Sequence, residues 1–239
     1  MSSDRTEDPA ADEGELSEED LVCEVDMHSE EEEYEEEEEE EEENSDEEAV
    51  DASLKEKIAW LDIETTGLDV EEDTIMEVAV VVTNSLLTVL AESPNHVIHV
   101  EDKLLTDMKQ PYKDQHTKTG LIEKCKKSTL SLKAADGQLV AFLAELTEKD
   151  EVPLAGNSVH ADKKKFLETY LPRVMEHLQK RVVDVKSVKE LCKSWYPDEF
   201  NSAPTPDETN TQVLQRVRES IEELKYYKAT LCNAVNVQL

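Results

Sequence analysis

The chain has 239 residues and a formal net charge of −34, from 59 acidic residues against 25 lysines and arginines. Most of that imbalance is local: residues 1–57 hold 29 acids and 3 bases, including a glutamate run from Glu30 to Glu43 broken only by Tyr34, so residues 1–56 are expected to form a disordered acidic tail. No run of 18 apolar residues is present, the N-terminus is the reverse of an Arg-rich transit peptide, and Cys23, Cys125, Cys192 and Cys232 lack metal or disulfide spacing.

These exclusions point to a cytoplasmic or nuclear protein with no membrane span, built on one domain at 57–232 and ending in a short tail at 233–239. The domain opens with the apolar run Ile58–Ile63. Ile75–Thr83, Leu86–Leu90 and His96–Val100 continue a β-like pattern across breaks at Asn84-Ser85 and Pro94-Asn95, which predicts a three-stranded meander. From Leu121 the period changes. Leu132, Ala135, Leu139, Phe142, Leu143 and Leu146 fall at helical spacing and predict an amphipathic helix over Ser131–Glu148. A strand at Val152–Ala155, a helix over Asp162–Leu178 broken at Pro172, a strand at Arg181–Val185 and a helix over Lys186–Trp195 follow. The last helix is predicted to begin at Thr205-Pro206-Asp207-Glu208, which has capping-box spacing with proline at the first helical position. Its apolar stripe is Val213, Leu214, Val217, Ile221, Leu224 and Leu231. Strands followed by alternating helices and strands specify an α/β domain, a mixed sheet covered by helices on both faces.

Chemistry enters at WLDIETTGLD, residues 60–69. On a strand, Trp60, Asp62 and Glu64 share one side while Leu61 and Ile63 take the other, so two carboxylates meet at the strand's end. Thr65-Thr66-Gly67 closes the strand, with Gly67 free to adopt a backbone conformation closed to other residues. Carboxylates held together repel unless a cation or a shared proton intervenes, which suits Mg²⁺ or Mn²⁺. A solvated strand end is the other reading, and D-x-E alone does not choose between them. Asp162, in AGNSVHAD just past a buried strand, supplies a third acid where α/β sheets gather ligand groups.

WLDIETTGLD, PLAGNSVHAD, RVVDVKSVKELCKSWYP and RESIEELKYYK together resemble the oligoribonuclease family, over about Ala59 to Thr230. The resemblance implies a ribonuclease-H-like fold and a DEDD-type 3′→5′ exonuclease acting on short single-stranded RNA as a homodimer. It also implies two Mg²⁺ or Mn²⁺ ions on four carboxylates, with a histidine taking the proton of the attacking water. Asp62, Glu64 and Asp162 match three metal-binding acids, Leu68 the wedge between terminal bases, and His116 and Ser158 substrate-lining positions.

The last motif departs from the pattern. Where the family carries its histidine and its fourth acid this chain has Thr211 and Arg216, so the general base is missing and a fixed positive charge replaces a ligand. Arg216 is suited to pair with Asp62 or Asp162 in the cation's stead, with metal binding impaired. Pro111 stands at the family's stacking tryptophan, Gln179-Lys180 at a His-Tyr pair, and Lys163-Lys164-Lys165 is one residue longer than the family's usual pair. Two functions follow: a weak 3′→5′ exoribonuclease, or a non-catalytic nucleic-acid-binding or protein-interaction module. The glutamate run would meet basic partners or repel nucleic acid at low salt.

Overall fold

A computed structural model describes residues 56–159, 162–205 and 212–233, with Asp162 and residues 231–233 described in backbone only. The acidic tail, residues 206–211 and residues 234–239 lie outside the described residues, so the expectations for the tail, Thr211 and the 206–208 capping box stand as sequence readings. Six strands form one mixed sheet: β1 (Lys57–Thr65), β2 (Ile75–Asn84), β3 (Val89–Glu92), β4 (His96–Val97), β5 (Pro153–Gly156) and β6 (Gln179–Asp184). The order is β3-β2-β1-β5-β6, with β4 also on β2. β1 and β2 are antiparallel, whereas β1, β5 and β6 run parallel. The expected meander is therefore present, its third strand divided into β3 and β4. All ten residues of β2 are buried, as a strand covered on both faces requires.

Helices cover both faces. Ala59, Leu61 and Ile63 of β1 pack with Leu139 and Leu143 of α4 (Leu132–Ala144), Phe166 and Leu167 of α5 (Asp162–Tyr170), and Val174 of α6 (Pro172–His177). The opposite face sets Trp60 against Val185 of α7 (Val185–Trp195) and against Val217 and Ile221 of α9 (Val213–Asn233). Buried Trp60 satisfies its indole N–H on Thr83 Oγ1 at 2.9 Å. Pro172 breaks the expected 162–178 helix into α5 and α6, and Asp136 of α4 caps the second piece by accepting from the backbone N–H groups of Arg173 (3.2 Å) and Val174 (3.0 Å). The short α8 (Pro197–Asn201) follows α7.

Several readings are corrected. Residues 101–127, given no elements from sequence, form α1 (Asp102–Asp107), α2 (Gln110–Lys118) and α3 (Leu121–Lys127). They cover their own small core of Met76, Val100, Leu105, Met108, Leu121, Ile122 and Cys125. Gln212 is not helical, so the last helix does not run continuously from Pro206; its described part is Val213–Asn233. Its first turn is satisfied from the sheet, where Glu77 accepts from the Val213 N–H and Asn95 Oδ1 from the Leu214 N–H (3.4 Å). Elsewhere in the domain His96 and His177 are buried, the latter on Thr147 Oγ1 at 2.9 Å, and Trp195 is exposed.

Candidate functional site

The C-terminal ends of β1, β5 and β6 converge on one side of the sheet, and α9 crosses above them. Alternation sends Asp62 and Glu64 to the α9 face, the face that holds Trp60. β5 reaches this point because Gly156 has no side chain: a Cβ there would lie 2.7 Å from Val159 Cγ1 and 2.8 Å from the Leu61 carbonyl oxygen. After it, Ser158 adopts a left-handed φ of 59°, and its N–H donates to Asp184 Oδ1 at 3.3 Å. Asp184 is also the N-cap of α7, through the Lys186 N–H at 2.9 Å. Gly67 does not take a left-handed conformation. Its role is space, since a Cβ would fall 2.3 Å from Asp73 Oδ2, the carboxylate that accepts from Thr66 Oγ1 (2.8 Å) and the Asp69 N–H (2.9 Å).

Arg216 fills the gap between the carboxylates. Its Nε donates to Asp62 Oδ2 at 2.7 Å, Nη1 donates to Glu64 Oε1, and Nη2 donates to the Ile63 carbonyl at 3.1 Å while lying 2.7 Å from Asp62 Oδ2. The other oxygen of Asp62 accepts from Lys163 Nζ, which also donates to the Asn157 carbonyl at 3.0 Å. Asp62 is thus held by two cations. Burial by itself would raise its carboxyl, but Lys163 and Arg216 outweigh burial and hold it below its ordinary range. The same balance acts on Arg216, where burial opposes the charge and the two carboxylates carry its guanidinium above the ordinary value. The sequence pairs Arg216 with Asp62 or Asp162; among the described side chains its carboxylate partners are Asp62 and Glu64.

Two cavities of about 280 Å³ each flank this cluster. One is lined by Leu68, Tyr112, Phe166, Glu64, Lys163 and Arg216 among others. Asp62, Asn157, Ser158, Lys163, Arg216 and Glu219 contribute to the other. Leu68 lines the first cavity and Ser158 the second, and Leu68 keeps 65% of its surface exposed. His116 lies behind the wall: it is 1% exposed, its Nε2 is 3.0 Å from the Thr65 carbonyl and 3.9 Å from Glu64 Oε2. A carbonyl only accepts, so Nε2 carries the proton and is not free to take one. Asp162 opens α5 beside Lys163. Tyr112, Gln115 and Phe166 in the first cavity, and Asn157 and Glu219 in the second, are lining residues that sequence reasoning missed; Lys163 carried a signal, as the first of a lysine cluster that reads as either a solvated helix start or a phosphate contact.

The exonuclease family model RNase_T matches residues 59–210. The mitochondrial oligoribonuclease of Bos taurus is 44% identical over 180 residues, 75% of either chain. The chain belongs to the oligoribonuclease family. The Coxiella burnetii oligoribonuclease is 42% identical over 178 residues, covering 74% of this chain and 96% of its own. Among solved structures, the zinc-bound E. coli exonuclease I–ssDNA complex superposes with a TM-score of 0.57 at 14% identity, over 76% of this chain and 42% of that one. That likeness carries the fold alone, and this chain spans less than half of the exonuclease I chain.

Oligoribonucleases use divalent metal ions, and the described donor set does not fit one. Asp62 Oδ2 and Glu64 Oε1 are taken by Arg216 and Asp62 Oδ1 by Lys163. Each unit charge on an ion about 4 Å from a fixed cation costs about 4 kcal/mol at an effective dielectric of about 20. Among the described residues, no group of three or more His, Cys, Asp and Glu side chains is arranged to hold a metal.

Proposed function

We propose that this oligoribonuclease-family domain binds the 3′-terminal residues of short single-stranded RNA and hydrolyses them weakly or not at all. The observation that carries the reading is the Arg216 guanidinium bridging Asp62 and Glu64, where it replaces the family's cation with one that cannot activate water. Loss of the general base at Thr211 compounds the effect, by roughly 10²–10⁴-fold in rate. The apolar lining of Leu68, Tyr112 and Phe166 supports base contact, with Leu68 acting as the wedge. Asp62, Glu64 and Asp162 keep the family's acidic positions, the first two as anchors for Arg216. The same reading includes a homodimer, a domain at 57–232, and residence in the cytoplasm or nucleus. No described helix is long and apolar enough to cross a membrane.

The test is incubation of the full-length chain with end-labelled RNAs of two to five residues in Mg²⁺ and in Mn²⁺, beside an intact family member. Binding with turnover at least a hundredfold below that member supports the proposal. Turnover within tenfold of it would sink it.

A further inference from the structure

A carboxylate pair repels a phosphate unless mobile cations are present, so a site of this kind ordinarily binds its ligand only with divalent ions. Here the neutralising charges belong to the chain. Arg216 and Lys163 offset Asp62 and Glu64 one for one among the described side chains, and neither cation can diffuse away or be chelated.

Neither cation is used up by the carboxylates. Among the described residues, three hydrogen bonds and the close approach of Nη2 to Asp62 Oδ2 engage four of the five guanidinium N–H groups, leaving one on Nη1 without a described acceptor. Lys163 has two described acceptors for its three N–H groups. Both side chains line both cavities, and both reach solvent, at 27% exposure for Arg216 and 30% for Lys163. Two fixed positive charges with donors to spare therefore line a cavity whose other walls are Leu68, Tyr112, Phe166 and Ile63 together with the polar Glu64, Thr65 and Gln115. Charge-assisted donors beside an aromatic and aliphatic wall suit a phosphate ester that carries a nucleobase.

Building on the reading under Proposed function, we infer that this site captures nucleotide phosphate without any divalent ion, with Arg216 and Lys163 as the phosphate ligands. The ligand class is a nucleoside monophosphate or the terminal phosphodiester of a single strand.

The experiment uses the full-length chain and a fluorescein-labelled five-residue oligoadenylate, titrated by anisotropy in EDTA and in Mg²⁺. The affinities in the two buffers should agree within threefold. Arg216→Gln and Lys163→Gln should each weaken binding in EDTA at least fivefold, and Arg216→Lys should weaken it less than Arg216→Gln. Adenosine monophosphate should compete at lower concentration than inorganic phosphate. Equal competition by the two would overturn the nucleotide assignment. Binding that needs Mg²⁺ by tenfold or more, or that neither glutamine variant changes, would overturn the inference as a whole. Thermal unfolding shows whether each variant is folded; should Arg216→Gln not be, the partly exposed Lys163 decides the question alone. Efficient cleavage in Mg²⁺ would refute the weak-turnover reading, while the affinity measured in EDTA would still support or overturn metal-free capture independently.

Discussion

Replacing Arg216 by alanine separates a structural counter-ion from an incidental contact. The change leaves Asp62, 7% exposed, with Lys163 as its remaining cation, and strips Glu64 Oε1 of its partner. Removing one member of a buried ion pair typically costs about 3–5 kcal/mol. Because Lys163 stays on Asp62 and Arg216 keeps a partly exposed edge, the low end applies, about 3 kcal/mol. For a domain of this size each kcal/mol moves the midpoint by about 2–4 °C, so Tm should fall by about 6–12 °C in metal-free buffer. Manganese should then affect only the variant: with the carboxylates unoccupied, an ion present at about a hundred times its Kd returns about 2.7 kcal/mol. The assay is differential scanning fluorimetry of both proteins in EDTA and across a Mn²⁺ series, with calorimetric titration of Mn²⁺ alongside. A variant that loses less than about 1 kcal/mol, or a parent protein stabilised by Mn²⁺ as much as the variant, refutes the reasoning.

Three further outcomes are expected. Because burial is outweighed by Lys163 and Arg216 and the folded Asp62 carboxyl is depressed, its stabilisation is present above the unfolded value of about 3.9 and is lost only as pH falls through the lower folded value; in Arg216→Ala, acid unfolding followed by circular dichroism should begin at higher pH. Gly156→Ala forces a methyl group against Val159 and the Leu61 carbonyl and should cost about 1–3 kcal/mol in urea unfolding, with the damage centred where β5 meets β1. Thr211→His together with Arg216→Asp should return Mn²⁺ binding and measurable 3′ trimming of short RNA, whereas Thr211→His alone should return neither, a non-additivity read directly from the four cleavage rates.

The frame is legible wherever one periodicity runs unbroken. Ile58–Ile63 and Ile75–Thr83 are short apolar runs, the second rich in valine and isoleucine, that suit buried strands, the Leu132–Leu143 stripe has helical spacing, and all three are present within a few residues of the expected ends. Residues 101–127 are not legible because Leu105, Met108, Leu121 and Ile122 are scattered among lysines and short turns, so no window shows a period, although together they close a separate core. A continuous helix from Pro206 is interrupted at Gln212; the capping box is a local signal, whereas the N–H groups that begin α9 are satisfied by Glu77 and Asn95, more than a hundred positions away. In the site, strand alternation brings Asp62 and Glu64 together, and the misfit at position 216 announces an ion pair. Lys163 could not be assigned, since its ammonium meets Asp62 across 101 positions of sequence and its neighbours Lys164 and Lys165 share the same composition.

The bridge made by Arg216 alters what the D-x-E signature says about this branch of the family. With a guanidinium seated between them, Asp62 and Glu64 answer to folding: loss of either acid leaves a half-buried cation short of a partner, and loss of the arginine leaves buried Asp62 with Lys163 alone and half-buried Glu64 without its cation. The three positions are mutually locked, so drift at any one is opposed even where no RNA is ever cut. A lineage carrying this lock would keep the nuclease-like motif at its first strand long after giving up the reaction, and residue 216 is the position that tells an inherited signature from a working one.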